Sequence, residues 1–195
     1  MANNILTSLH GKRIGLGPLN ELLLDKGDGT RIVPVLLGNQ AAAGTALTNT
    51  TDETALGTVT IPAKTLQPGS LIQIRFQGIA TATDSTDTLA VALKIGGLSG
   101  TALISIPATD VANNNVFTGE YELAIRTVGA SGTMVGVGTF KSIPAAEGTM
   151  TIKDDILAST AINTTTAQDI VVTGDWSVAA TANSCRLDFL RVIVA

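Results

Sequence analysis

Two pairs of carboxylates stand close enough in the chain to suggest acid–base chemistry. Glu120 and Glu122 lie two apart in a strand-like run, and Asp154 and Asp155 are adjacent in a stretch that reads as a loop. A glycosidase works with two carboxyl groups flanking a scissile bond. Residues two apart on a strand share a face, so Glu120 and Glu122 could meet one substrate. Sugar sites also want aromatic platforms, and the chain has one Trp and one Tyr. Trp176 and Tyr121 read as core or interface residues instead. His10, the single histidine, would have to serve any Ser-His-Asp triad. It sits in a Gly-rich stretch with nothing to hold an imidazole in place. Zinc needs several Cys or His ligands, and His10 and Cys185 are too few and too far apart in the chain. "GKRIGLG", with Gly11, Gly15 and Gly17, fits neither the phosphate-loop pattern nor the dinucleotide fingerprint. "DKGDGT" and "KDD" do not fit a calcium loop and read as turns. The sequence therefore predicts no catalytic residue, no cofactor, no metal site and no enzyme.

The elements that would have to position such groups are strands. The 195 residues are enough for one all-β domain with a sizeable core, or a domain and an arm. Hydrophobic residues make up 45%, charged residues 14% and aromatics 3%, so the apolar content is small aliphatics with much Thr beside them. Val, Ile and Thr suit a pleated surface because their branched Cβ restricts χ1. Mean hydropathy is +0.36, high for so few charges, yet no window approaches the run a membrane helix needs. "MANNILTSLHGKR" does not read as a secretory leader, because its apolar part is short and its cations follow it. An apolar chain of this kind is expected to have its folded surface partly covered, by its own copies or by another protein. Lys12 and Arg13 are the only charges among residues 1–20, which leaves ten cations against sixteen acids, a net of −6, on the rest. That acidic body argues against nucleic acid as the main partner. A single cysteine allows no intrachain disulfide, and Cys185 in "SCRLDFLRVIVA" reads as a small buried hydrophobe on a strand.

Period-2 alternation recurs along the body. "SLIQIRFQGIA" sets Ile72, Ile74 and Phe76 against Gln73, Arg75 and Gln77. "TLAVALKIG" lines up Leu89, Val91, Leu93 and Ile95, and "VFTGEYELAIRTVG" sets Tyr121, Leu123 and Ile125 against Glu120, Glu122 and Arg126. Such alternation, with Gly, Asn, Asp and Ser clusters between, marks half-buried antiparallel strands. "RIVPVLL" is strand-like, but Pro34 lacks an N–H, which makes it an edge strand or linker. "TALISIP" reads as short, "ATDVANNN" as a loop, and Met150 to Lys153 as a short helix or an extra strand. No repeat and no convincing helical period is present. About eight to ten strands, closing by long-range pairing, predict a jelly-roll-like β-sandwich over residues 51–195. An immunoglobulin-like sandwich is the second choice. Residues 1–50 are expected to be an extended N-terminal arm and linker.

The arm holds the candidate site. Leu6, Leu9, His10, Lys12, Arg13, Ile14 and Leu16 combine apolar anchors with two cations, a composition suited to docking on an acidic neighbour. The opening "MANNILTSLHGKRIGLGP" resembles the start of small virion proteins of tailed bacteriophages. The Thr/Ala/Gly-rich body, with "TLQPGSLIQIRFQGIATATDSTDTLAVALKIGG", is similar in style to phage jelly-roll modules of capsid cement proteins and fibres. The N-terminal likeness covers about a tenth of the chain. It implies a capsid decoration protein, a homo-oligomer of three copies on the capsid surface of a virion assembled in the host cytoplasm. Its partners would be the major capsid protein and itself, with neither nucleic acid nor membrane. The alternative is a receptor-binding head- or tail-fibre tip, with a groove built by loops such as Thr81 to Thr88 or Ala108 to Asn115.

Overall fold

The computed structural model describes residues 5–9, 12–16, 22–25, 35–40, 42–82, 86–111, 114–144 and 150–195. All regular structure among them is β, and every strand pair is antiparallel. The first strands are β1 (Ile5–Leu9), β2 (Lys12–Leu16), β3 (Leu22–Asp25), β4 (Val35–Gln40) and the two-residue β5 (Leu47–Thr48). Then come β6 (Thr54–Ile61), β7 (Leu71–Thr81), β8 (Thr88–Ile95), β9 (Thr101–Asp110) and β10 (Asn115–Thr127). β11 (Gly132–Ile143), β12 (Thr151–Ile162), β13 (Gln168–Trp176) and β14 (Ser184–Val194) complete the chain.

Two sheets form the sandwich. The larger runs β12-β11-β10-β7-β14-β4, with β5 also on β14, and the smaller runs β6-β13-β8-β9. The partners nest along the sequence: β8 with β9, β7 with β10, β6 with β13, and β4 with β14. A long ribbon with those nested pairs, wrapped so that alternate pairs fall in opposite sheets, is a jelly roll. Four pairs supply its eight strands, and the β11–β12 hairpin is an addition that widens the larger sheet. This wrapping decides for the jelly roll over the immunoglobulin-like alternative. β4 is the sandwich's first strand in the chain and an edge strand, as Pro34 beside it suggests.

The strands form where alternation says they should. Ile72, Ile74, Phe76, Leu89, Val91, Leu93, Ile95, Tyr121, Leu123 and Ile125 all face one core, together with Trp176 and Cys185. Three inward pairs across the larger sheet match an aromatic ring with a glycine directly opposite: Phe76 with Gly119, Phe117 with Gly78, and Tyr121 with Gly138. In each pair the ring lies over the glycine, in the space its missing Cβ leaves. Phe76 and Phe117 then both reach Phe140, the first edge-on at 5.4 Å between centroids and the second stacked at 6.4 Å.

At one open side of the sandwich, Gly38 on β4 lets Val59 on β6 come close; a Cβ there would lie 2.6 Å from Val59 Cγ2. At the other, Lys153 Nζ of β12 donates to the Ser105 carbonyl of β9 at 3.0 Å.

Three expectations need correction. Of the two alternatives for Met150 to Lys153, the extra strand forms and the helix does not, but the strand is longer than expected. Thr151 to Lys153 open a twelve-residue strand, β12. Its pattern is blurred because an edge strand leaves both faces partly wet, so Ile152 and Ile156 stay exposed. "TALISIP" continues into a ten-residue strand through Asp110, so "ATDVANNN" is only partly loop. Pro107 is tolerated because β9 is an edge strand. Asp154 and Asp155 lie on β12, not in a loop.

Candidate functional site

The residues predicted to contact a partner fall on short strands of their own. Leu6 and Leu9 are on β1, and Lys12, Arg13, Ile14 and Leu16 on β2. β2 is the middle strand of a three-stranded sheet, with Leu9 opposite Lys12, Arg13 opposite Asp25, and Leu16 opposite Leu22. The β1–β2 register is irregular between Ile5 and Thr7, next to Leu6. His10 lies outside the described residues. Among those residues, no strand pairing joins this small sheet to either sheet of the sandwich.

The two carboxylate pairs have different fates. Glu120 and Glu122 do share the outer face of the larger sheet. Glu120 forms an ion pair with Arg75, and Glu122 accepts a long hydrogen bond from Gln73 at 3.5 Å. Asp154 and Asp155, being adjacent on a strand, point to opposite faces. Asp154 accepts from Thr139 Oγ1 at 2.6 Å on the outer face, while Asp155 lies 3.7 Å from Lys153 Nζ. Among the described residues, no group of three or more His, Cys, Asp and Glu is placed to hold a metal ion. The loop ends proposed for a receptor groove do meet. Asn114 N donates to Thr81 Oγ1 at 3.3 Å, and Val111 N to the Asp87 carbonyl at 3.3 Å.

The most developed surface is one that no motif announces. Side chains paired across the larger sheet form three rows on its outer face. One runs Leu36, Ile193, Gln73, Glu122, Val137, Ile156 from β4 to β12. The next runs Asn39, Arg191, Arg75, Glu120, Thr139, Asp154. The third, one strand shorter, runs Phe189, Gln77, Thr118, Lys141, Ile152. A concavity of about 510 Å³ lies over the first two rows between β14 and β11. Cations occupy one half of the middle row and acids the other. Arg191 stands directly opposite Arg75, a like-charge placement that costs free energy. Leu36, Val137 and Ile156 are 50%, 56% and 78% exposed at the ends of the first row. Period-2 alternation tells which residues face outward. It cannot tell that they line up, since register across six neighbouring strands is a tertiary fact.

On the smaller sheet's outer face, Glu53 bridges Lys94 and Thr173. Lys94 Nζ is 2.6 Å from Glu53 Oε1, and Thr173 Oγ1 donates to the same carboxylate at 2.7 Å. Burial alone would raise the Glu53 pKa, but hydrogen bonds from Lys94 and Thr173, with the Lys94 charge, hold it below the usual value. This cluster is closed on itself and reads as structural.

No protein-family model matches the chain, and no curated protein matches it in sequence. Among solved structures, it is similar to infectious bursal disease virus of the Gx strain, with 15% identity and a TM-score of 0.37. It is similar also to the VP2 subviral particle of infectious bursal disease virus, with 13% identity and a TM-score of 0.34. These likenesses cover 98% of this chain but only 37% and 38% of the other chains, so it spans little more than a third of their length.

Proposed function

We propose that this chain is a virion structural protein that works by binding and catalyses nothing: a bacteriophage capsid decoration protein. It sits on the shell surface as a homo-oligomer, three copies being the state its sequence likeness implies. Its N-terminal strands contact the major capsid protein and neighbouring subunits. The observation that carries this reading is that, among the described residues, β1–β3, which hold the phage-like opening residues, pair with no strand of the jelly roll. A sandwich that closes its own core needs no such segment for stability. Among the described residues these strands pair only with one another, which suits a segment that engages something else. Several such segments on one oligomer would multiply weak contacts through high effective concentration. Because they would bind only the assembled shell, they would favour assembly by mass action.

The test is removal of residues 1–20. The truncated protein is expected to keep its strand-type circular dichroism and its mass, and to lose binding to shells stripped of the protein. Undiminished decoration by the truncated form would overturn the reading.

A further inference from the structure

Two of the three rows on the outer face of the larger sheet are complementary to themselves, and we propose that this face is the contact between two copies of this chain, packed sheet against sheet about a two-fold axis. The axis would run along the strands, between β7 and β10. This contact does not rest on the virion reading and is independent of whatever β1–β3 engage.

Symmetry supplies the match. A two-fold rotation about that axis exchanges the two sides of the sheet and keeps each row in place. It lays β4 on β12 of the second copy, β14 on β11, and β7 on β10. In the first row, Leu36 then meets Ile156, Ile193 meets Val137, and Gln73 meets Glu122. Apolar ends cover apolar ends, and the polar middle covers itself. In the second row, Arg75 meets Glu120, and Arg191 lies over Thr139 beside Asp154, the acidic end. The Arg191–Arg75 juxtaposition, unfavourable in one copy, gains opposite charges above it. A two-fold axis across the strands through the middle row would instead stack Arg75 on Arg75 and Glu120 on Glu120, which the charges reject. An isologous contact requires this kind of self-matching pattern.

The size is sufficient. Five strand spacings separate β4 from β12, about 24 Å at the usual interstrand distance. The registers of β14 to β12 overlap over about seven residues, or about 24 Å in the other direction. The face therefore covers roughly 570 Å², close to the roughly 600 Å² per partner at the low end of standard interfaces. Aligned packing of two twisted sheets is an established arrangement, with the strands offset by about 30°.

Cross-linking tests the geometry directly. Leu36→Cys and Ile156→Cys are made separately in the full chain, and the two proteins are mixed, allowed to exchange, and treated with a bismaleimide. Its reach is matched to the roughly 10 Å between packed sheets. Within one copy the two positions are on opposite edges of the sheet, too far apart to bridge. Cys185 is fully buried and out of reach. The mixture is expected to give a covalent pair, and each variant alone none.

Charge reversal gives a second reading by sedimentation. Glu120→Arg should weaken self-association at least tenfold, and Arg75→Glu with Glu120→Arg together should restore it. Unchanged circular dichroism and melting temperature would show each variant folded. Cross-linking by either variant alone, which would mean β12 meeting β12 or β4 meeting β4, overturns the proposal. So does a full chain with no concentration-dependent mass and no mixed cross-link, which would leave the face to another protein.

Discussion

Replacing Gly119 with Ala tests how the core is built. Gly119 faces the core on β10, directly opposite Phe76 on β7. A new methyl would overlap Phe76 Cζ and Cε1 outright and lie 3.1 Å from Cε2. The ring cannot step aside. It is fully buried, and its edge is set against Phe140 at 5.4 Å. Overpacking of this kind costs about 1–3 kcal/mol. Ala is better than Gly in a strand by about 0.5–1 kcal/mol, which offsets part of that. The net loss should be about 1–2 kcal/mol, or roughly 2–8 °C in melting temperature for a chain this long. Urea unfolding measures it as a lower midpoint with an unchanged slope. Phe76→Leu in the same background opens space where the methyl must go. The double variant should therefore be more stable than the sum of the two losses predicts, with a coupling of at least about 0.5 kcal/mol. A Gly119→Ala protein as stable as the parent, or strictly additive losses, would refute the idea that ring and glycine share one space.

Other expectations follow from the buried titratable groups and the polar clamp. Burial pushes the Cys185 thiol up to about 12, with Trp176 acting the other way. Burial, then the charge of Asp155, pushes Tyr121 up to about 12 as well, with the Leu157 backbone acting the other way. Both raised groups favour the folded state below their unfolded values, near 9 for the thiol and 10 for the phenol, and lose that advantage as pH rises to 12. At pH 10.5 the loss should be about 3 kcal/mol relative to pH 8, with about two-thirds of it from the thiol. Denaturant midpoints of the parent and Cys185→Ala at the two values check this, and parallel losses would contradict it. Glu53→Gln should cost about 2 kcal/mol by removing a charged acceptor from Lys94. The parent's Glu53 contribution is present above the unfolded carboxylate value and fades as pH falls through the lowered folded one. Midpoints of the two proteins should therefore converge in acid.

Some of this was legible in the residues. Alternation around Ile72, Leu89 and Leu123 named the strands and their buried sides, because side-chain direction along a strand is local geometry. Cys185 and Trp176 were readable as core residues, and Pro34 and the run after it as an edge. The long strand β12 was not legible. Ile152 and Ile156 look like core residues in a polar loop until the strand is seen to lie at an edge, with its outer face wet.

The chain's composition and two-residue period, taken alone, determined an all-β protein with a small-aliphatic core, because each strand's burial depends only on its own alternation. Tertiary structure alone decided the rest. Which glycine lies under which ring, and which cation stands beside which acid on the outer face, depend on the register of strands up to about 160 positions apart in the chain. β4 and β14 are one such pair, joined through Leu36 and Ile193. Register is set when all the strands pack together, and no single segment carries it.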